Sequence, residues 1–481
     1  MSAGWATVGW LAGRGGTTDR VRIALTAVGA ALATLALLAA ATVIAIDPDD
    51  GPYRPEVLAQ PGLHVGVVTA LLLLCVPVLG FTGQCARVGA PARDRRLAAI
   101  RLAGATPREA RTVASLESGL AAGLGSVAGA ALYFLARALL ADPVTGMFTR
   151  TQYVDGGAGM LTETYAGTGL LLPTDVLPPV WTLALLVLAV PVAAAVSSAL
   201  ALRRVAIGPL GVIRRRTRRP PRLLPAVLFI GGVAGLALFS SVVQVFGAGD
   251  RPSLLGLLFF VLLLLVLIGL LAGSATLAAL VGTFIARRTG SPSLLIAARR
   301  LVADPYAASR AFGVLLVAVV FAAGAQAYRA FLLTVTSPYE NPFYRQTMDL
   351  VQLVILVAIA LACLGLLVAA AEGVVTRRRT LAALTAAGTP TRTLRRAVLV
   401  ESLLPLFVAG PLAAVAGVLT VRGVVGTTTG DYLGGRMEPI PVPWGGTALV
   451  VVITLAVALL AVSASLAFLR ASTDIVELRT G

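Results

Sequence analysis

Long apolar runs broken by short polar segments make up most of the chain. A helix needs about 20 mostly apolar residues to cross the hydrocarbon core of a bilayer, and the run from 23 to 46 is one of many that reach this length. Residues 252–286 contain no charged side chain at all. The pattern predicts ten membrane-spanning helices, at approximately 22–46, 63–83, 112–136, 180–202, 223–246, 254–285, 311–330, 350–371, 397–421 and 445–469.

The order of these segments repeats within the chain. Residues 97–118 read LAAIRLAGATPREARTVASLES, and 284 positions later residues 381–402 read LAALTAAGTPTRTLRRAVLVES. Spans 1–4 match spans 7–10 in order, and six spans between corresponding elements place both copies in the same orientation. The predicted fold is an all-α polytopic membrane protein in a 4+2+4 arrangement: a first four-span unit at 1–213, a linking pair at 214–290 and a second four-span unit at 291–481.

Charge adds sidedness to this fold. All 39 basic residues are arginine, and with the N-terminus inside, 31 of them lie on the inner face and 8 on the outer face. This bias predicts both termini in the cytoplasm. The net charge of +17 could suggest nucleic acid, but RRRTRR at 214–219 is more typical of an anchor beside anionic lipid. We expect a multi-pass protein of a bacterial plasma membrane with lipid, and no nucleic acid, as a partner.

The composition also limits the chemistry. A P-loop ends in Gly-Lys-Ser/Thr, whose lysine reaches the terminal phosphates of ATP, and this chain contains no lysine. The single histidine, His64, and three cysteines in or beside spans form neither a metal-ligand pattern nor a Ser–His–Asp set. We therefore expect no enzyme activity, no metal and no cofactor here, with ATP and Mg²⁺ bound by another polypeptide.

The repeated segment predicts a helix, a turn and a second helix on the cytoplasmic side. Residues 93–103 are good helix formers, and Gly104 is the residue type that commonly ends a helix. Thr106 is a predicted N-cap and Pro107 takes the first helical position. Glu109 completes a capping box. A short helix therefore ends and the third span begins within a few residues.

The second copy repeats this arrangement at 377–387. Gly388 is again predicted to end the short helix, and Thr389 and Pro390 precede the next span. Arg392 stands where the capping-box acid is expected. Two helix–turn–helix segments on the same side of the membrane predict two docking helices in one chain.

These segments resemble a known family. RRLAAIRLAGATPREARTVASLESGLAAGLGSVAG at 95–129 is similar to the signature of FtsX-like permeases, the membrane subunits of MacB-type ABC transporters, and 379–413 is a weaker match. In that family the segment forms the coupling helix that contacts the ATPase. The resemblance implies an ATPase-coupling role for nine residues: Arg95, Leu97, Ile100, Arg101, Gly104, Arg379, Leu381, Leu384 and Gly388.

Glu117 and Glu401 are the only carboxylates placed well inside predicted spans. A charge there costs about 3 kcal/mol or more on insertion scales, so each is expected to have a partner. Arg101, Arg111 and Arg395 are the candidates. The two carboxylates either relay movement from a coupling helix to a membrane helix or form structural pairs near the interface.

Four glycines on the third span, Gly119, Gly123, Gly125 and Gly129, form two overlapping patterns of small residues four apart. Such patterns allow close helix approach. They predict tight packing, with a moving seam between helices as the alternative.

The family resemblance implies a permease that couples ATP hydrolysis by a separate ATPase dimer to export or extraction of a hydrophobic or amphipathic substrate, such as an antimicrobial peptide, a lipid or a drug-like molecule. Two coupling helices per chain predict one permease to two ATPase chains. The alternative is a transmembrane signal transmitter that controls an extracytoplasmic partner such as a cell-wall hydrolase, although the outer segments are short. An ion-coupled transporter would need acids or histidines near the midplane, and none is evident.

Overall fold

The computed structural model describes residues 17–47, 50–54, 58, 64–85, 99, 102, 104–153, 160–203, 223–246, 252–335, 341–430 and 437–466. The chain separates into two compact units, Met1–Arg216 and Thr217–Gly481. The prediction of an all-α polytopic membrane protein is confirmed. In the described residues, eight helices are long and apolar enough to cross a membrane, and two further apolar stretches, Leu74–Cys85 and Leu224–Ala237, are shorter.

The first unit contains four described long helices and one hairpin. Helix α1 packs on α2, α3 and α4, and α3 packs on α4. The elements are α1 (Thr17–Ile44), α2 (His64–Cys85), α3 (Pro107–Leu139), β1 (Val144–Tyr153), β2 (Met160–Gly169) and α4 (Val180–Arg203).

Close approach of α1 and α3 depends on the predicted glycines. A methyl group at Gly125 would collide with the carbonyl oxygen of Ala27, and one at Gly129 with that of Ala31. Gly119 and Gly123 face α4 near Ala195 and Pro191, with more space. The prediction of tight packing is therefore confirmed on the α1 side of α3.

The second unit contains the remaining helices, including those of the predicted linking pair. Helix α9 lies at its centre against α7, α10, α12 and α13, and α5 packs on α7 and α12. The elements are α5 (Leu224–Ala237), α6 (Phe239–Phe246), α7 (Pro252–Arg288), α8 (Pro292–Ala303), α9 (Pro305–Val335), α10 (Asn341–Thr376), α11 (Arg378–Ala386), α12 (Thr391–Val425), β3 (Thr428–Gly430), β4 (Met437–Pro439) and α13 (Trp444–Ser465).

Each unit has a turn end, which carries Gly104 or Gly388, and a hairpin end, which carries two antiparallel strands. In the first unit β1 and β2 pair over ten residues each, from Val144 opposite Gly169 to Tyr153 opposite Met160. In the second unit β3 and β4 pair over three residues each. These strands were not predicted from the sequence, because the polar segment after each third span was interpreted as a loop.

Candidate coupling site

The turn of the first unit has the predicted local structure. Gly104 has a φ of +102°, a conformation that glycine adopts without a steric penalty. Thr106 caps α3, whose first residue is Pro107. The Glu109 amide donates to the Thr106 hydroxyl at 3.2 Å, and the Thr106 amide donates to the Glu109 carboxylate at 2.8 Å. The predicted capping box is therefore confirmed.

Most of the first predicted docking helix lies outside the described residues. Ala99 and Leu102 are helical, and Leu102 is 70% exposed. The predicted coupling residues Arg95, Leu97, Ile100 and Arg101 all lie outside the described part of the chain.

The turn of the second unit keeps the glycine but changes the cap. Gly388 has a φ of +88° and donates its amide to the Thr385 carbonyl at 2.9 Å. Thr389 was predicted to be the N-cap of α12, but the cap is Pro390, and the helix begins at Thr391. The reason is a one-residue shift of proline within the repeat, because position 390 corresponds to Thr106 and not to Pro107. No side chain caps this helix.

Helix α11 is the second predicted docking helix, and it is fixed to its own unit. Leu381 is 1% exposed and packs with Val374, Leu394 and Val398. The Leu381 side chain therefore anchors α11 to α10 and α12, and its predicted role in ATPase coupling stays a prediction. Leu384 is half-buried at the edge of the same cluster.

The opposite face of α11 is open. Thr380, Ala383 and Ala386 are exposed, as is Gly388 just beyond the helix. The side chain of Arg379, another predicted coupling residue, lies outside the described ones. The described part of the surface that α11 presents is therefore made of small side chains, with Leu384 at its margin.

Glu401 links its own helix, α12, to α8 and to the start of α11. Its carboxylate accepts from the Arg377 guanidinium at 2.6 Å, and Arg377 directly precedes α11. It also accepts from Arg300 of α8 at 3.2 Å. Arg395 was the predicted partner of Glu401, but the structure pairs Glu401 with Arg377 and Arg300. The three charged side chains line a cavity of about 110 Å³, and the Glu401 side chain is 17% exposed, so the group is open to water.

Glu117 has a drier environment in the first unit. It is 4% exposed and forms an ion pair with Arg22 of α1, which is also 4% exposed. The candidates Arg101 and Arg111 were named because they lie near Glu117 along the chain, whereas Arg22 precedes it by 95 positions. Burial of both charges fits a structural clamp between α1 and α3, because such a charge needs a partner when no water reaches it.

The sequence contained weak signals for these missed arginines. Arg22 opens the first predicted span, Arg300 belongs to the interfacial stretch LLIAARRLV at 294–302, and Arg377 stands at the start of the predicted docking segment. Arginine near a helix end is so common in membrane proteins that none of these positions by itself indicates an ion pair.

The hairpin ends are held by one arginine in each unit. Arg137, in the last turn of α3, donates to the carbonyls of Thr174 and Val176, at 2.6 Å in both cases. Arg422, in the last turn of α12, donates to the carbonyl of Ile440 at 3.0 Å. Each arginine fixes the chain that returns from the hairpin to the next helix.

A buried tyrosine also orders the first hairpin end. The Tyr53 hydroxyl donates to Asp175 at 3.0 Å, and the backbone next to it pairs with Leu170 after β2. Burial, followed by the hydrogen bond to Asp175, raises the pKa of Tyr53 well above its usual range. The hydroxyl therefore stays protonated and keeps this contact at physiological pH.

These features define a polytopic membrane protein of the permease type, with an internal duplication and a short helix set at the turn end of the second unit. The sequence profile described as FtsX-like permease C-terminal matches residues 78–208 and again 353–472, together just over half of the chain. The chain therefore belongs to the FtsX-like permease family. Members of this family are membrane components of ABC systems that generally work with an ATPase partner. No curated protein matches the sequence.

Proposed function

We propose that the chain is the permease subunit of a two-component ABC transporter that exports or extracts a hydrophobic or amphipathic substrate. A separate ATPase dimer binds at the turn ends, which lie in the cytoplasm of a bacterial cell together with both termini. ATP and Mg²⁺ bind to that dimer, and this chain performs no hydrolysis.

The observation that carries the proposal is the attachment of α11. A docking helix must transmit the movement of its partner to the membrane helices, so it has to be packed firmly against them. Leu381 is buried between α10 and α12, while Thr380 and Ala383 on the other face are exposed. The helix therefore has one side for its own unit and one side for a partner.

The charges around Glu401 extend this attachment. Arg377 lies at the start of α11, Glu401 on α12 and Arg300 on α8, so one carboxylate joins three elements. A charged pair near water can exchange partners at low cost, because exposed pairs are worth about 0–1 kcal/mol. We propose that Glu401 acts as the relay between α11 and α12, and that Glu117 serves packing.

The test uses the exposed face of α11. Ala383→Glu adds a bulky charge at the proposed contact, and Ala303→Glu makes the same change on an exposed residue at the end of α8. The full chain is co-expressed with an ABC ATPase that co-purifies with the unmodified protein. We expect Ala383→Glu to weaken ATPase binding at least about tenfold, as loss of an interface contact worth about 1.4 kcal/mol would.

The control variant Ala303→Glu is expected to bind as the unmodified chain does, and both variants should insert and purify normally. Equal binding by both variants would show that α11 is not the ATPase contact. Equal loss in both would show a general charge effect.

The β1–β2 hairpin favours a second candidate, the transmembrane signal transmitter. Strands of ten residues are about 33 Å long, and among the described residues neither strand has a further strand along its outer edge. Such edges can pair with a strand of another protein. The hairpin offers an extracytoplasmic partner a larger surface than the short outer segments that were predicted from the sequence.

Shortening the hairpin separates the two candidates. A variant in which β1 and β2 are cut to three-residue strands, like β3 and β4, keeps Arg137 and the return segment after β2. A transporter is expected to keep ATPase binding and substrate export in this variant. A signal transmitter would keep ATPase binding but lose control of its extracytoplasmic partner.

A further inference from the structure

Two neighbouring grooves run along one face of α12 in the second unit. One, of about 580 Å³, lies between α12 and α13, and the other, of about 750 Å³, lies between α7 and α12. Leu404 and Phe407 line both grooves and form a ridge between them. Both volumes are in the range of about 300–1,000 Å³ that is typical of ligand sites.

Both grooves are lined mainly by apolar side chains, and the larger one also has two arginines. The larger groove is lined by Leu280 and Phe284 of α7 and ends at Arg287 and Arg288. The Arg288 guanidinium lies 4.4 Å from the centre of the Phe284 ring, a cation–π contact that holds it at the mouth of the groove. No carboxylate lines either groove, and within the described residues none pairs with these two arginines.

The depth of the grooves fits one leaflet of a bilayer. Phe407 lies 11 residues beyond Arg396 on α12, which is about 17 Å along a helix that rises about 1.5 Å per residue. Half of the hydrocarbon core is about 15 Å thick. Phe407 therefore lies about the thickness of one leaflet from Arg396 along α12.

We propose that these grooves bind one anionic phospholipid. Its phosphate group contacts Arg287 and Arg288, and its two acyl chains lie in the two grooves on either side of Leu404 and Phe407. Basic clusters next to apolar clefts at a membrane surface recognise anionic headgroups because the charges attract and the chains remain in an apolar medium. The site goes beyond the proposed transport function and does not depend on it.

The experiment places a fluorescent reporter on the ridge. The full chain carries Phe407→Trp, and the four natural tryptophans, Trp5, Trp10, Trp181 and Trp444, are changed to phenylalanine. The protein is reconstituted with phosphatidylglycerol or phosphatidylcholine whose acyl chains carry bromine, which quenches nearby tryptophan. We expect phosphatidylglycerol to occupy the site about tenfold more tightly than phosphatidylcholine, because two arginines favour its net charge.

Variants at the mouth then test the headgroup contact. In Arg287→Gln/Arg288→Gln the preference for phosphatidylglycerol should fall to about onefold, whereas Arg287→Lys/Arg288→Lys should keep most of it. The control Arg299→Gln/Arg396→Gln removes the same charge from exposed positions outside the grooves and should leave the preference unchanged.

Three outcomes would overturn the proposal. Equal quenching by both lipids in the starting protein would show unselective contact with bulk lipid. Absence of quenching by either lipid would show that another part of the chain or a second copy covers the ridge. Loss of the preference in the control as well would show a general effect of net charge.

Discussion

Glu117 and Glu401 occupy the same position in the two units, ten residues after the start of α3 and of α12 respectively, yet their surroundings differ. In the first unit the carboxylate is almost dry and forms an ion pair with Arg22, a buried arginine of α1. In the second it faces a small cavity and is shared by two partly exposed arginines, one of them at the start of α11.

The difference indicates how the two copies have separated in role. A dry pair between two long helices resists movement, because separating the charges leaves both unsolvated. A hydrated carboxylate with two possible partners tolerates small shifts of the helices that carry them. The first unit therefore has the more rigid ion pair at this level, and the second has the pairs that tolerate small shifts of α8, α11 and α12.

The hairpin ends of the two units also differ, and here the first unit has the larger structure. The first unit carries ten-residue strands, with Tyr53 and Arg137 ordering the chain around them, and the second carries three-residue strands held by Arg422. The unit with the more rigid ion pair is thus the one with the larger structure at its hairpin end.

The largest expected effect comes from breaking the dry pair. Glu117→Ala removes the buried carboxylate that pairs with Arg22 and should lower the free energy of unfolding by about 3–5 kcal/mol. Glu401→Ala should cost only about 1 kcal/mol, because Arg300 and Arg377 can be hydrated. Unfolding of the purified protein by a denaturing detergent measures both.

The double variant Arg22→Leu/Glu117→Leu is the control, since it removes both charges and should recover most of the lost stability. Equal losses for Glu117→Ala and Glu401→Ala would contradict the distinction between a dry and a hydrated carboxylate.

The next largest loss of stability is expected at glycines that allow close helix approach in both units. Methyl groups at Gly125 and Gly417 would collide with the carbonyl oxygens of Ala27 and Val320, so each glycine→alanine change should cost about 1–3 kcal/mol. Gly123 and Gly410 have space for a methyl group and are the matched controls. If all four variants unfold alike, close helix approach is not what these glycines provide.

If Glu401 acts as a relay in the second unit, removing its charge should change stability little and transport activity more. Glu401→Gln keeps the shape of the side chain and removes its charge, so stability should fall by about 1 kcal/mol. Transport per ATP hydrolysed should fall severalfold, because α11 is no longer held to α12 and α8 by charge.

Asp349→Asn is the matched acid-to-amide control, because Asp349 forms an exposed pair with Arg329 far from the turn end. Both stability and coupling should stay close to normal in that variant. Coupling that survives in Glu401→Gln would assign Glu401 to packing alone.

The smallest effect concerns the caps. Thr106→Ala removes a side chain that caps α3 and should cost about 1 kcal/mol, whereas Thr389→Ala should cost nothing measurable, because no side chain caps α12. Hydrogen exchange of the first turns of α3 and α12 resolves this difference. Similar protection losses in both variants would mean that the one-residue shift of proline has no consequence.

Local features could be predicted from the sequence because their causes are local. Apolar length predicted the helices, and a capping box spans only three residues, so Gly104, Thr106 and Glu109 were placed correctly. Arg22 could not be identified as the partner of Glu117, because 95 residues separate them and only the packing of α1 on α3 brings them together. For the same reason, the inward side of Leu381 was not predicted.

The β1–β2 hairpin was also not predicted, although its sequence pattern is local. Residues 144–169 read VTGMFTRTQYVDGGAGMLTETYAGTG, in which threonine recurs at alternate positions on both sides of Asp-Gly-Gly. That alternation around a turn sequence is typical of a β-hairpin. The pattern is weak beside the long apolar helices that flank it, so the segment was interpreted as a loop.

The most direct test of the central claim is the mass of the purified complex with its ATPase. A permease with one docking helix per chain must pair two chains on a dimeric ATPase, whereas this chain has one predicted docking segment at 93–103 and a second at α11. Measurement of the intact, active complex in detergent should give one permease chain to two ATPase chains. An active complex that requires two permease chains for two ATPase chains would contradict the account.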